Sequence, residues 1–199
     1  MTPQGLFVID YHNLRLVSCL YQCIYENGCM KNTRILKWEG ISLMLKYKLK
    51  YMDEFNIVVL DFDEEKSLEF ANMISDPLGS DIPWRFKDLK KDIDNYVDLL
   101  RGIIPEYRHG GNASSVISHK NYTIIEDPFY DEEEDEVEPI CKLETVEFVK
   151  IILVWAYENY KYKKEKKVID EEEAEMVMNW IEQKVEEVKS IENESTNQT

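Results

Sequence analysis

The sequence predicts an α+β fold that is helix-rich, with a small β-sheet and a C-terminal antiparallel helical hairpin. Two short β-branched runs at 56–62 and 121–125, apolar residues at three-and-four spacing over 86–100, and two long helical stripes beyond residue 143 carry that expectation. With 199 residues, 44% of them hydrophobic and 12% aromatic, the chain has the material for a core. A single domain is expected over 1–192, with an exposed acidic loop at 126–138 and a disordered tail at 193–199.

In chain order, Phe7 to Asp10 is a strand candidate, and the apolar segment that follows to Tyr25 fits either a strand pair or a buried helix. Thr33 to Tyr51 reads as a helix on the apolar positions Ile35, Leu36, Leu43, Leu45 and Leu49, with Lys37, Lys46, Lys48 and Lys50 forming a basic cluster. Asn56 to Phe62 is the clearest strand. Asp63 to Ser75 has helical spacing at Leu68, Ala71 and Ile74, with acids in its first turn, where the helix dipole favours them.

Pro83 opens a stronger helix. Phe86, Leu89, Ile93, Tyr96, Val97 and Leu100 form its apolar face, and Asp88, Asp92, Asp94 and Asp98 are read as the opposite, acidic face. The glycines and Pro105 make 102–118 a loop, and Asn121 to Ile125 a second strand, expected in one sheet with 56–62. From Leu143 to Tyr160 the chain is apolar nearly all round, the mark of a central helix. Basic residues from Lys161 to Lys167 close it, Asp170 and three glutamates open the next, and Ala174, Val177, Met178, Ile181, Val185 and Val188 give that last helix one face to pack antiparallel on its predecessor.

Charge narrows the function classes. The net charge is −16; residues 1–60 contribute +2 and residues 61–199 contribute −18. Such a surface repels nucleic acid and anionic membranes. No run reaches the ~18–20 apolar residues that cross a bilayer, and the first residues lack the pattern of a secretory signal, so a cytoplasmic protein is expected. Cys19, Cys23, Cys29 and Cys141 follow no zinc or redox spacing and read as buried thiols.

The enzyme-like feature is the strand from Val58 ending in Asp61 and Asp63. It resembles the first motif of haloacid-dehalogenase-type phosphatases, in which the first Asp attacks phosphorus and the second serves as acid and base. The resemblance therefore implies a metal-dependent hydrolase using Asp61 and Asp63. Glu65 stands where that family carries a small hydroxylated or β-branched residue, and an acid there opposes an anionic substrate. Asp61, Asp63, Glu126 and Asp127 would make a carboxylate cluster for a nuclease if their strands were adjacent. His109 and His119 flank a Gly- and Ser-rich stretch without a nucleophile-elbow pattern, which reads as a polar loop. No catalytic residue, metal ligand or cofactor is assigned.

The acidic stretch is the favoured site. Nine of the thirteen residues over 126–138 are acidic and none is basic, so repulsion should hold the segment extended and exposed. Asp127, Asp131, Glu132, Glu133, Glu134, Asp135 and Glu136 would steer a basic partner, Phe129 and Tyr130 would anchor it, and Asp88, Asp92 and Asp98 would add a second contact. In composition the chain is similar to immunity proteins, which are short, acidic and intracellular. That likeness implies a toxin nuclease domain as the partner, blocked at its active site. A DNA mimic that inhibits a defence enzyme would present the same charges.

Overall fold

The computed structural model describes residues 33–34, 43, 45–62, 70–111, 114–131 and 139–196. The expectations for Phe7 to Tyr25, for Cys19, Cys23 and Cys29, for Asp63 and Glu65, for Glu132, Glu133, Glu134, Asp135 and Glu136, and for residues 197–199 lie outside them.

The class is α+β, built from two antiparallel sheets and a helical hairpin. The first sheet has the order β1 (Thr33–Arg34), β2 (Tyr47–Met52), β3 (Ile57–Phe62). The helix expected over 33–51 is thus corrected at its described strand residues, 33–34 and 47–51: Tyr47, Leu49 and Tyr51 alternate with Lys48 and Lys50 at the strand period of two, and of these only Leu49 is fully buried. Asn56 turns the β2–β3 hairpin at φ 53°, a left-handed conformation that asparagine tolerates. β3 then buries Val58, Leu60 and Phe62 on one face.

A 3-10 turn at Ala71–Ser75 closes over β3, its Ser75 hydroxyl donating to the Leu60 carbonyl. Helix α1 (Phe86–Leu100) buries Leu89, Ile93, Tyr96, Val97, Leu99 and Leu100. It ends at Gly102, whose φ of +74° lets the Gly102 and Ile103 amides fold back onto the Leu99 and Asp98 carbonyls.

The stretch 102–118, expected as a loop, instead holds two strands. β4 (Glu106–Gly110) and β5 (Ser115–His119) form a hairpin that continues through β6 (Thr123–Glu126) to β7 (Ile140–Leu143) in a second sheet ordered β4-β5-β6-β7. The two strands expected in one sheet, 56–62 and 121–125, therefore lie in different sheets.

Helix α2 (Thr145–Glu165) is buried over most of its circumference and packs against β3, α1 and helix α3 (Glu171–Thr196). Ala174, Val177, Ile181, Val185 and Val188 of α3 are buried against it. Ion pairs at both ends fix the antiparallel sense: Lys164 to Glu175 at 2.7 Å, and Lys150 to Glu192 at 2.7 Å. The Asp170 carboxylate accepts the Glu172 amide at 2.9 Å and so caps the start of α3. Residues 193–196 continue that helix and do not form the expected tail. Among the described residues no helix is long and apolar enough to cross a membrane.

Candidate binding surface

The surplus negative charge is not spread along the chain. Residues 126–138 carry nine acids and no base, and α3 carries nine acids against two lysines. These segments contribute −9 and −7, which equals the whole net charge of −16, so the rest of the chain balances 22 acids with 22 bases.

In α3 the cause is amphipathic packing. With Ala174, Val177, Ile181, Val185 and Val188 turned to α2, the polar positions fall on the outside, and Glu171, Glu172, Glu173, Glu175, Glu182, Glu186 and Glu194 are exposed. Some are paired locally, as Glu186 is with Lys189 at 2.7 Å. Such exposed pairs add little stability, about 0–1 kcal/mol each. Sequence reasoning placed acids only at the start of this helix as dipole partners; the signal for the rest was the excess of Glu on its outer positions.

At the acidic stretch, Glu126 closes β6, and Asp127 begins a tight turn. The Asp127 Oδ1 accepts the Phe129 amide at 2.8 Å, which fixes the chain so that the Phe129 ring points to solvent, 55% exposed. Tyr130 is half-buried and Asp131 exposed. The expected anchor Phe129 is therefore held outward beside the acids, whereas Tyr130 gives part of its surface to the fold.

The second contact expected on α1 changes. Asp92 is buried and accepts the Tyr107 hydroxyl at 2.8 Å, so it belongs to the interior and not to an acidic face. Its position carried the signal, since it stands three residues after Leu89 and four before Tyr96, on the apolar side. Asp88 is paired with Arg85 at 3.1 Å, and Asp94 with Lys90 and Lys184 at 2.8 Å each. With three lysines among its fifteen residues, α1 offers Asp88 and Asp98 as partly exposed single charges and no concentrated field.

Around Asp92 lies a buried aromatic and polar cluster that sequence reasoning missed. His109 packs between Tyr96, stacked at 5.7 Å, and Tyr107, edge-on at 4.7 Å, with its Nε2 3.9 Å from the Asp92 carboxylate. Burial depresses the His109 pKa against the opposing pull of Asp92 and Asp81, so the ring is neutral near pH 7. Burial raises the Tyr107 hydroxyl to about 12. His119 lies at the far end of the hairpin, its ring 4.8 Å from Tyr122 and its Nε2 3.6 Å from Glu106, so the two histidines do not share a site.

Asp61 forms an ion pair with Lys50 at 2.6 Å across the β2–β3 hairpin. Because β3 and β6 belong to different sheets, Asp61 does not stand beside Glu126 and Asp127 as the carboxylate cluster required. Among the described residues no three His, Cys, Asp or Glu side chains are grouped as a metal site. Cys141 is a buried thiol whose pKa burial raises to about 12. Comparison of the chain with protein-family models, curated proteins and solved structures finds no match.

Proposed function

We propose that this chain is an acidic binding protein that neutralises a basic partner, acting as an immunity protein that occludes the active site of a toxin nuclease. The observation that supports this is the concentration of the entire net charge of −16 into 126–138 and α3. Charge needed only for solubility gains nothing from such segregation along the chain, whereas carboxylates gathered in two segments accelerate encounter with a cationic groove. A nuclease presents that kind of groove because it must hold phosphates, and carboxylates compete for the same cations. Phe129 adds what charge lacks, an apolar contact that loses its water on binding and slows dissociation.

The test is inhibition. The product of the reading frame adjacent to this one is assayed for cleavage of DNA and RNA as the chain is titrated in. Stoichiometric loss of cleavage is expected, with weaker inhibition by a variant carrying Asn at Asp131 and Asp135 and Gln at Glu132, Glu133, Glu134 and Glu136. Absence of cleavage by that product, or cleavage indifferent to the chain, overturns the proposal.

A further inference from the structure

Independently of the basic-partner reading, we infer that a second copy of this chain docks on the apolar strip where the start of α1 meets α3, related to the first copy by a two-fold axis. Helix contacts build the strip. Phe86 packs edge-on against Trp180 at 5.3 Å, Asp94 pairs with Lys184 at 2.8 Å, and Arg101 pairs with Glu187 at 2.8 Å. The paired positions rise together in number, so α1 and α3 lie side by side and run in one direction. With Phe86 level with Trp180, the part of α3 from Glu172 to Trp180 projects about 12 Å past the first residue of α1.

On that projection Met176 stands one turn before Trp180 on the same side of α3 and is 53% exposed. Trp84 comes just before α1 and is 51% exposed, its carbonyl accepting the Tyr160 hydroxyl at 3.0 Å. Both indole rings are held by cations of the fold. Lys163, itself buried, lies 4.1 Å from the centre of the Trp84 ring, and Lys90 and Lys184 lie 5.8 Å and 5.9 Å from that of Trp180. Rings fixed in this way lose little freedom on binding, and aromatic residues and Met are the side chains that interfaces favour.

The charges at the two ends of the strip select the occupant. About one turn before Met176, Glu172 and Glu173 are exposed, and on α1 Lys87 and Lys91 are exposed one turn apart. Among the described residues none of these four has an ion-pair partner. Burial first, and then the charge of Glu173, raise the Tyr160 hydroxyl to about 12, which sets Glu173 beside the residue that anchors Trp84. A two-fold axis crossing the strip between its acidic and basic ends lays Glu172 and Glu173 of each copy on Lys87 and Lys91 of the other. A partner of a single sign leaves one end unmatched. The net charge of −16 opposes self-association at long range, but in about 0.15 M salt that repulsion is screened beyond about 8 Å, and the contacts within that distance decide.

The experiment is sedimentation equilibrium of the full chain over the micromolar range in about 0.15 M salt. The wild type should approach twice the mass of one chain as its concentration rises, and Trp84→Ser with Met176→Ser should weaken the association by about tenfold or more with the Tm unchanged. Lys87→Glu with Lys91→Glu, and separately Glu172→Lys with Glu173→Lys, should each be monomeric, and an equimolar mixture of these two variants should recover the dimer. A wild type that remains monomeric overturns the inference; if Trp84→Ser with Met176→Ser then weakens inhibition of the product of the adjacent reading frame, the strip belongs to that partner. A dimer indifferent to the changes at Trp84 and Met176, or a mixture that remains monomeric, overturns it as well.

Discussion

Asn159 joins helix α2 to the edge of the first sheet, and replacing it with Leu should cost on the order of 3 kcal/mol. Its Oδ1 accepts the Val58 amide at 2.9 Å, and its Nδ2 donates to the carbonyls of Val58 at 3.0 Å and Trp155 at 3.0 Å. Val58 and Asn159 are both buried. Among the described residues β3 is the last strand of its sheet, and the Val58 groups that point away from β2 are met by this side chain. Leaving a buried donor and a buried acceptor unpaired costs about 1–3 kcal/mol each. The added apolar surface of Leu returns about 1 kcal/mol. The Trp155 carbonyl keeps its helical hydrogen bond and adds little.

The assay is urea unfolding followed by circular dichroism. With a slope of about 1–3 kcal/mol per molar urea, Asn159→Leu should lower the midpoint by roughly 1–3 M with the slope unchanged. Asn159→Asp keeps an acceptor for the Val58 amide but sets a second oxygen against the Val58 carbonyl, so it should also be less stable than wild type. A midpoint for Asn159→Leu within the equivalent of about 0.5 kcal/mol of wild type would refute the claim that Asn159 satisfies this sheet edge.

Three further substitutions probe the packing around the second sheet. Because burial lowers the pKa of His109, the unfolded chain binds a proton near pH 6.5 that the folded chain refuses. This contribution to stability is complete above pH 6.5 and declines as the pH falls below it. His109→Phe, which keeps the ring between Tyr96 and Tyr107, should flatten the fall in Tm between pH 7.5 and 5, and an undiminished fall would contradict the assignment. At Gly111 an added Cβ would lie 1.6 Å from the Asp81 carboxylate, which accepts the Ser114 amide at 3.1 Å and hydroxyl at 2.8 Å. Gly111→Ala should therefore lower stability by about 1–3 kcal/mol. Asp81→Ala should cost a similar amount, and the double variant less than the two added together in denaturant unfolding.

The helices were legible because their apolar faces are long: α1, α2 and α3 each repeat the three-and-four spacing over several turns. β3 and β6 were legible as dense β-branched runs. β4 and β5 were hidden because the inward residues of the second sheet are partly polar. Ser118 and Thr123 are buried and joined at 2.9 Å, and Thr123 meets Thr145 at 3.1 Å, so the strand period carries hydroxyls where Val or Ile would have marked it. β2 was hidden because the apolar positions Ile35, Leu36, Leu43, Leu45 and Leu49, taken together as a helical face, outweighed the Tyr-Lys-Leu-Lys-Tyr alternation of Tyr47 to Tyr51. Of the site, the acidic stretch and the outward Phe129 were readable from composition. The buried cluster around His109 required the register of β4 with β5, which no single segment of sequence contains.

The account turns on whether the segregated carboxylates perform the recognition. The direct measurement is the rate of association with the proposed partner, the product of the adjacent reading frame, in stopped flow, over increasing salt, for the wild type and the variant neutralised over 131–136. The wild-type rate should fall steeply with ionic strength, while the variant should start slower and follow a flatter line, with the Tm of the two proteins the same. Parallel lines of equal height would contradict the account.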